Sequence, residues 1–433
     1  MKGAPILFVA SRFFAGRRNA AGTRDQARKA LVGAVLSIAL SLVPLITVMQ
    51  VADGMIRGIT ARYVELGTYH AQAVPYASAD LVGARDAARN APGVTGAWIE
   101  RQSVGVVFAH GAREGAIIRG VEQGFVTDPS TLEYLRVVSG AATIEKPYDA
   151  LVGSAMARKL SLNAGDTVNL ITIRRNQSGV MIPRVSILTV RGVVSAGYRD
   201  LDAQWLFMRQ ETAARLLPPE NTRSFVGIKA ADPFKAPAAA RDAVSGHLPP
   251  GFSVYQWKDI QRNLFESLAS TRTMLLLIMA ITVAVAAVNV SSALTTLVLE
   301  RGQEIAVMKS LGASPADLAR IFSLGGAALG ALGAVLGAAG GLLVSVRINQ
   351  ILAGLERILN MLRDLSARLS GGLSPAQYRI LDPAYYLETI PVHIPFAEIA
   401  VVVIAAVGLS FVAALGPARR AAALSPLDGF RKR

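Results

Sequence analysis

Cysteine is absent from the 433 residues. Its absence excludes a disulfide framework, a zinc–thiolate centre and a cysteine nucleophile. Charge is also scarce: Asp, Glu, Lys and Arg make up 17% of the chain against 52% apolar residues, with a mean hydropathy of +0.40. Ordinary soluble domains carry about 25% charged residues, so a bilayer is the expected solvent for much of this chain. The four histidines, His70, His110, His247 and His393, are scattered, and neither H-E-x-x-H nor G-x-S-x-G occurs. No catalytic residues, cofactor-binding residues or metal ligands are therefore assigned. The chain also lacks G-x-x-x-x-G-K-[ST], the loop whose amides cradle nucleotide phosphates. The net charge of +15 comes with only 6% aromatic residues and no basic recognition helix, so no nucleic-acid partner is expected.

What the sequence has instead is long apolar runs. Ala30 to Val51, Met274 to Leu299, Ile321 to Val346 and Phe396 to Leu415 each reach the roughly 20 residues that cross a bilayer. The first follows a basic stretch, Lys2 to Lys29, but it exceeds the 7–15-residue core of a secretory signal and no small-x-small cleavage site follows, so it reads as an uncleaved span. Asn289 is the conspicuous polar residue buried in the membrane in the second run and is expected to hydrogen-bond across a dimer or to line a substrate path. In the third run Gly326, Gly330, Gly333, Gly337 and Gly341 recur at three- and four-residue spacing, which lets a partner helix approach closely.

Between the first two runs, residues 53–271 mix both charge signs and contain no spanning segment. Helical spacing at Ser78 to Asn90, Thr131 to Val138, Ala150 to Leu160, Gln210 to Leu217 and Pro233 to His247 predicts helices. Strands are predicted at Thr95 to Glu100, Val104 to Ala109, Ala116 to Val121, Thr167 to Ile173, Val185 to Val194 and Ser224 to Lys229. The fold class is thus a membrane α-helical protein with an α+β extracytoplasmic domain, four transmembrane helices per chain and the large domain between helices 1 and 2.

Glu300 to Ser314 joins the second and third runs. Gln303 to Leu311 reads as a short helix closed by Gly312, after which Ser314, Pro315 and Asp317 supply a cap, a first-turn proline and a capping-box acid. Fifteen Lys and Arg residues in the N-terminal segment, this connection and the C-terminal tail face five acids, Asp25, Glu300, Glu304, Asp317 and Asp428. The positive-inside rule puts these three segments in the cytoplasm and residues 53–271 outside. The resulting organisation is an N-terminal segment 1–29, helix 30–52, outer domain 53–271, helix 272–299, cytoplasmic connection 300–316, helix 317–347, outer loop 348–394, helix 395–417 and tail 418–433. In the outer loop Ile351, Leu355, Ile358, Leu362, Leu365 and Leu369 share one face of a helix, Ile348 to Leu369. This face is expected to continue the third span and pack on the outer domain, with a dimer contact or a membrane-surface helix as alternatives.

Five stretches carry a family resemblance: GAIIRGV (Gly115 to Val121), LVGSAMARKLSLNAGDTVNL (Leu151 to Leu170), EIAVMKSLGASPADLARIF (Glu304 to Phe322), YYLETIPVHI (Tyr385 to Ile394) and GPARRAAALSPLDGFR (Gly416 to Arg431). With the order of spans, the sequence resembles the MacB/FtsX class of ABC-transporter permeases, and within it the LolC/LolE type of lipoprotein-releasing permease. The resemblance implies an inner-membrane protein with cytoplasmic termini and a second permease subunit, identical or different. It also implies a cytoplasmic ABC ATPase dimer that holds ATP and Mg, with no cofactor in this chain. A lipoprotein substrate, a periplasmic lipoprotein chaperone and membrane lipid complete the implied partners.

The resemblance further implies a coupling helix that contacts the ATPase through Gln303, Glu304, Ile305, Met308, Lys309 and Leu311. It implies a carrier-binding hairpin at Arg174, Arg175, Val180, Met181, Ile182 and Pro183. A MacB-like exporter of peptide, drug or siderophore, and an FtsX-like regulator of a cell-wall hydrolase, are the alternatives within the class. The loop from Ile348 to Tyr386 is longer than the family's usual connection.

Overall fold

Gln26–Arg62 forms α1, a helix of 37 residues that passes through Pro44 and continues into a π-helical turn, Tyr63–Thr68. Proline offers no N–H to the ladder, an interruption that membrane helices tolerate where neighbours and hydroxyls satisfy the backbone. Beside it the Thr47 hydroxyl donates to the Val43 carbonyl at 2.8 Å. The computed structural model describes residues 26–76, 79–175, 180–231, 234, 237–300, 302–370 and 396–423. The basic segment before Gln26, the hairpin tip 176–179, the stretch 371–395 with Tyr385 to Ile394, and the tail after Ala423 lie outside the described residues.

In chain order the outer unit comprises β1 (Ala71–Pro75), α2 (Leu81–Arg89), β2 (Val94–Ala109), β3 (Ala112–Val121), α3 (Gln123–Val126), α4 (Pro129–Tyr134) and β4 (Arg136–Gly140). It continues with β5 (Asp149–Gly153), α5 (Ser154–Lys159), β6 (Thr167–Arg175), β7 (Met181–Ser195), α6 (Arg199–Gln204), β8 (Trp205–Arg209) and α7 (Gln210–Leu216). It closes with β9 (Arg223–Ala230), α8 (Pro237–Ser245), β10 (Phe252–Gln256) and α9 (Trp257–Ile260). The strands form one sheet in the order β10-β1-β9-β2-β3-β8-β5-β7-β4, with β6 pairing both β2 and β7. Most pairs are antiparallel; β3–β8 and β5–β7 are parallel.

Four differences from the sequence reading have local causes. Thr95 to Glu100 and Val104 to Ala109 belong to one strand, β2, because β3 pairs with it continuously from Glu100 to Ala109. Asp149–Gly153 is a strand, where a helix is predicted from Ala150. All five of its residues are buried between β7 and β8, and a short apolar run of that kind has no period to distinguish it. The helix predicted over Thr131 to Val138 stops at Tyr134, and Arg136 onward pairs with β7. The helix predicted from Ser78 starts at Leu81, where the Asp80 carboxylate accepts from the Val82 amide at 2.9 Å.

The remaining helices follow: α10 (Arg262–Glu300), α11 (Gly302–Ser310), α12 (Pro315–Val346), α13 (Ile348–Ser370) and α14 (Phe396–Ala423). Among the described residues four helices are long and apolar enough to span: α1 with its π-helical extension, α10, α12 and α14. One compact unit contains Met1–Gly54, Ala269–Met361 and Pro391–Arg433, and the other contains Met55–Leu268 and Leu362–Ile390. The membrane unit has its own apolar core, including Ile38, Leu42, Ile46, Val290, Leu294, Phe322, Ala334, Ala406 and Ala414. The outer unit is built on three further clusters, around Leu170 and Leu188, around Tyr69 and Phe125, and around Ile99 and Val226.

Candidate functional site

α11 is punctuated as its sequence dictates. The Gly312 amide bonds the Lys309 carbonyl and the Ala313 amide bonds the Met308 carbonyl, both at 3.0 Å, with Gly312 at φ +94°. Only glycine takes that left-handed conformation at little cost. Ser314 then caps α12: its hydroxyl accepts from the Asp317 amide at 3.1 Å, while the Asp317 carboxylate accepts from the Ser314 amide at 3.4 Å. The helix is therefore held at one end by a glycine closure and followed at once by a capped helix, which fixes its axis.

The two faces of α11 differ. Ile305 and Ala306 are fully buried, Met308 packs against the membrane core, and Lys309 donates to the Ala422 carbonyl of α14 at 2.6 Å. Gln303, Glu304, Val307 and Leu311 are exposed, Leu311 by 82%. Of the six residues singled out in the sequence, Gln303, Glu304 and Leu311 thus face outward, while Ile305, Met308 and Lys309 anchor the helix to its own bundle. Val307, missed in the sequence, completes the outward face. The i, i+4 relation of Val307 to Gln303 and Leu311 was the available signal.

The glycine stripe of α12 serves two neighbours. A Cβ on Gly326 would lie 2.4 Å from Ala414 Cβ, and one on Gly330 would lie 2.5 Å from Ser410 Cβ, both on α14. Gly333, Gly337 and Gly341 instead face Ile38, Leu42 and Ile46 of α1 at 2.7, 2.7 and 2.9 Å. Backbones that approach this closely gain van der Waals contact, which drives helix association where the surroundings are as apolar as the helices. Asn289 is exposed, and its amide donates to the Ser37 hydroxyl of α1 at 2.6 Å, a bond within the chain. Near the other end of α10, Arg272 reaches Asp53 of α1 at 3.5 Å and Glu398 of α14.

Beside α1 and α10 lies a cavity of about 220 Å³. Ser41, Pro44, Leu45, Val48 and Met49 line it from α1, and Leu275, Ile278, Met279 and Thr282 from α10. Its wall is apolar apart from two hydroxyls, and both helices are spanning segments.

In the outer unit the predicted hairpin residues are mostly ladder residues. Arg174 pairs with Ile182, Arg175 with Met181 and Ile173 with Pro183. The strands therefore run further than the sequence indicates, and the intervening tip is shorter than Arg174 to Pro183. Val180, Met181 and Ile182 are exposed, as are Arg174, Arg175 and Pro183. An apolar sheet face extends from the hairpin: Val106 of β2 pairs with Ile171 of β6, which pairs with Val185 of β7, and the next row is Phe108, Asn169 and Ile187. Val104, Phe108, Val185 and Ile187 are all exposed. Periodicity gave the alternation of these strands; it did not say which face would remain uncovered.

The outer unit also contains buried charge. Arg119 and Glu100 are both excluded from solvent, and Tyr69 donates to the same carboxylate at 2.5 Å. Burial alone would lower the Arg119 pKa, but the Glu100 carboxylate outweighs it and holds the guanidinium above its ordinary value. Lys229, also buried, donates to Ser130, Thr131 and Asp128 at 2.7, 2.8 and 3.2 Å. Asp128 is pushed up by partial burial, yet its bonds from Ser130 and Lys229 bring it below the ordinary aspartate value. Among the described residues no group of His, Asp and Glu is arranged to hold a metal ion.

Two family models match the chain: the MacB-like periplasmic core domain over residues 31–245 and the FtsX-like permease C-terminal domain over residues 276–426. The chain belongs to the MacB/FtsX superfamily of ABC-transporter permeases. It is similar over 92% of its length to the lipoprotein-releasing system transmembrane protein LolC of Xylella fastidiosa, at 27% identity and covering 93% of that protein. It is also similar to LolE of Haemophilus influenzae, at 24% identity over 71% of this chain and 70% of that one. The periplasmic region of MacB from Actinobacillus actinomycetemcomitans aligns with 46% of this chain and 93% of its own, at 12% identity and a TM-score of 0.31.

Proposed function

We propose that this chain is the transmembrane permease subunit of an ABC transporter that extracts lipid-anchored proteins from the inner membrane and passes them to a carrier on the outer side. The observation that carries the reading is the apolar cavity lined by α1 and α10, within two spanning helices. At about 220 Å³ it is smaller than the ~300–1,000 Å³ of a drug-like pocket, and its apolar wall suits part of an acyl chain. The likeness to LolC and LolE supports the same assignment.

A permease of this superfamily works with an ATPase and a second permease; here the ATPase would dock on Gln303, Glu304, Val307 and Leu311. A nucleotide-driven push on α11 would reach α12 and α14 through the glycine closure, the Ser314 cap and the Lys309 bond to Ala422. The positive-inside asymmetry supports cytoplasmic termini. The carrier would meet the exposed hairpin, where Arg174 and Arg175 flank Met181 and Ile182, a surface suited to an apolar partner with an acidic rim.

Reconstitution with the ATPase, a labelled lipoprotein and its carrier tests the reading. Ser41→Phe with Thr282→Phe, which fill the cavity, should abolish release while ATP hydrolysis continues. Full release by the filled variant would overturn the cavity's role.

A further inference from the structure

α1 and α12 run in the same direction and meet in a constant register. Gly333, Gly337 and Gly341 of α12 face Ile38, Leu42 and Ile46 of α1, so each advance of four residues along one helix matches four along the other. The next step of that register sets Ser345 opposite Gln50. Shortly beyond Gln50 the chain leaves the membrane unit, at Met55. The seam therefore changes character along its length: glycine against aliphatic side chains, then, at the end from which the chain passes into the outer unit, hydroxyl against amide.

This polar step is incompletely bonded. Gln50 and Ser345 are each exposed by 1%, and Thr47, one turn back on α1, by 8%. The Ser345 hydroxyl donates to the Gly341 carbonyl at 2.7 Å. The Thr47 hydroxyl, bonded to Val43, also reaches the Gly341 carbonyl across the seam at 3.4 Å. Gln50 differs from both. Among the described residues, neither the nitrogen nor the oxygen of its amide has a hydrogen-bond partner. A buried amide in that condition is costly, and hydrocarbon holds no bulk water to relieve it. A side chain so completely covered is out of reach of lipid and of a second copy of the chain, so its partner has to come from inside the bundle. The hydroxyl oxygens of Ser345 and Thr47 retain lone pairs that can accept from it.

We propose that the α1–α12 seam has two states at this end, and that Gln50 biases it away from the closed one seen here. In the closed state the backbones gain close contact along the glycines while the amide goes unbonded. In the parted state α1 is displaced against α12, and the amide bonds the hydroxyls or water admitted between the helices. Packed seams of this kind switch between discrete arrangements and do not deform continuously. Val48 and Met49, next to Gln50 in α1, line the apolar cavity shared with α10. Parting the seam moves that wall, which couples the seam to the cavity. This last step rests on the cavity's proposed role in holding cargo; the two states of the seam do not.

The absence of cysteine makes the first test direct, because introduced thiols have no competitors. Gln50→Cys with Ser345→Cys, in the full chain with its ATPase in nanodiscs, should form a disulfide whose yield differs several-fold between the nucleotide-free and the ATP–vanadate-trapped complex. Equal yields in the two conditions, high or low, overturn the proposal. Gln50→Leu removes the unbonded amide at nearly constant volume. It should raise the Tm of the complex in detergent, read by size-exclusion chromatography after heating, and lower lipoprotein release per ATP several-fold. An unchanged or lowered Tm would mean that the amide is already bonded in the closed seam, for instance by a buried water, and overturns the bias. A raised Tm with full release overturns the link to transport. The disulfide and Tm readouts contain no lipoprotein, so a wrong assignment of the cargo would leave them standing.

Discussion

Arg119 and Glu100 meet through two charge-assisted hydrogen bonds of 2.6 and 2.7 Å in complete exclusion from water. The guanidinium also bonds the Leu66 carbonyl at the end of the π-helical turn and lies 4.6 Å from the centroid of Trp205. Arg119→Met leaves Glu100 buried with only Tyr69 and Gln102 as donors. It should cost about 3–5 kcal/mol, whereas Arg119→Met with Glu100→Leu should recover most of that loss. All three tryptophans, Trp98, Trp205 and Trp257, lie in the outer unit, so urea titration followed by intrinsic fluorescence reads both variants.

Asp202 gives a pH dependence of definite sign. It accepts from the Ala196 amide and the Ser195 hydroxyl at 2.6 Å and from the Ser154 hydroxyl at 3.0 Å, yet burial outweighs these bonds and raises its pKa above 3.8. Below 3.8 the carboxyl is protonated in folded and unfolded chains alike. As pH rises toward the folded value the unfolded chain ionises first, so this group's contribution to stability is lost. The stability difference between Asp202→Asn and the natural chain should therefore move in favour of Asn between about pH 3.5 and pH 7. Paired urea titrations at the two values measure it, and a shift toward Asp would contradict the sign.

Gly337 and Gly408 should respond oppositely to alanine. A Cβ on Gly337 would lie 2.7 Å from Leu42 Cβ and 3.0 Å from the Ala39 carbonyl, so α1 must move. Overpacking of that kind costs about 1–3 kcal/mol. Gly408 of α14 has no atom within 4 Å of the same position, and alanine there should gain about 0.5–1 kcal/mol of helix preference. Thermal unfolding in detergent, read by circular dichroism, should show a lowered Tm for Gly337→Ala and an unchanged or raised one for Gly408→Ala.

Glu304→Lys with Leu311→Asp changes only the outward face of α11. Both side chains are exposed, so the fold should survive with unaltered tryptophan fluorescence. Lipoprotein release per ATP hydrolysed should fall about tenfold or more, equivalent to at least 1.4 kcal/mol of lost coupling. Undiminished release would remove the coupling assignment.

Several of these features were legible in the residue order. The four spans follow from apolar length, because a bilayer requires about 20 such residues. The closure at Gly312 and the Ser314–Asp317 box are local backbone chemistry, confined to a few neighbouring residues, and both are present. The extent of the β6–β7 hairpin was not legible. Arg174, Arg175, Met181 and Ile182 flank the turn-forming run Asn176, Gln177, Ser178 and Gly179 and read as part of one loop, and only their pairing across the ladder makes them strand.

The sequence by itself determined where α11 stops and α12 starts, which segments need a hydrocarbon solvent, and that α13 has one apolar side; each of these depends on neighbours within one or two turns. The tertiary structure alone decided which side of each helix is covered. It divided the α12 glycines between α14 and α1, turned Ile305 and Lys309 of α11 inward, and left the apolar stripe of α13 outward. Those outcomes depend on the rotation of one packed helix against another, which is set by contacts between residues up to hundreds of positions apart.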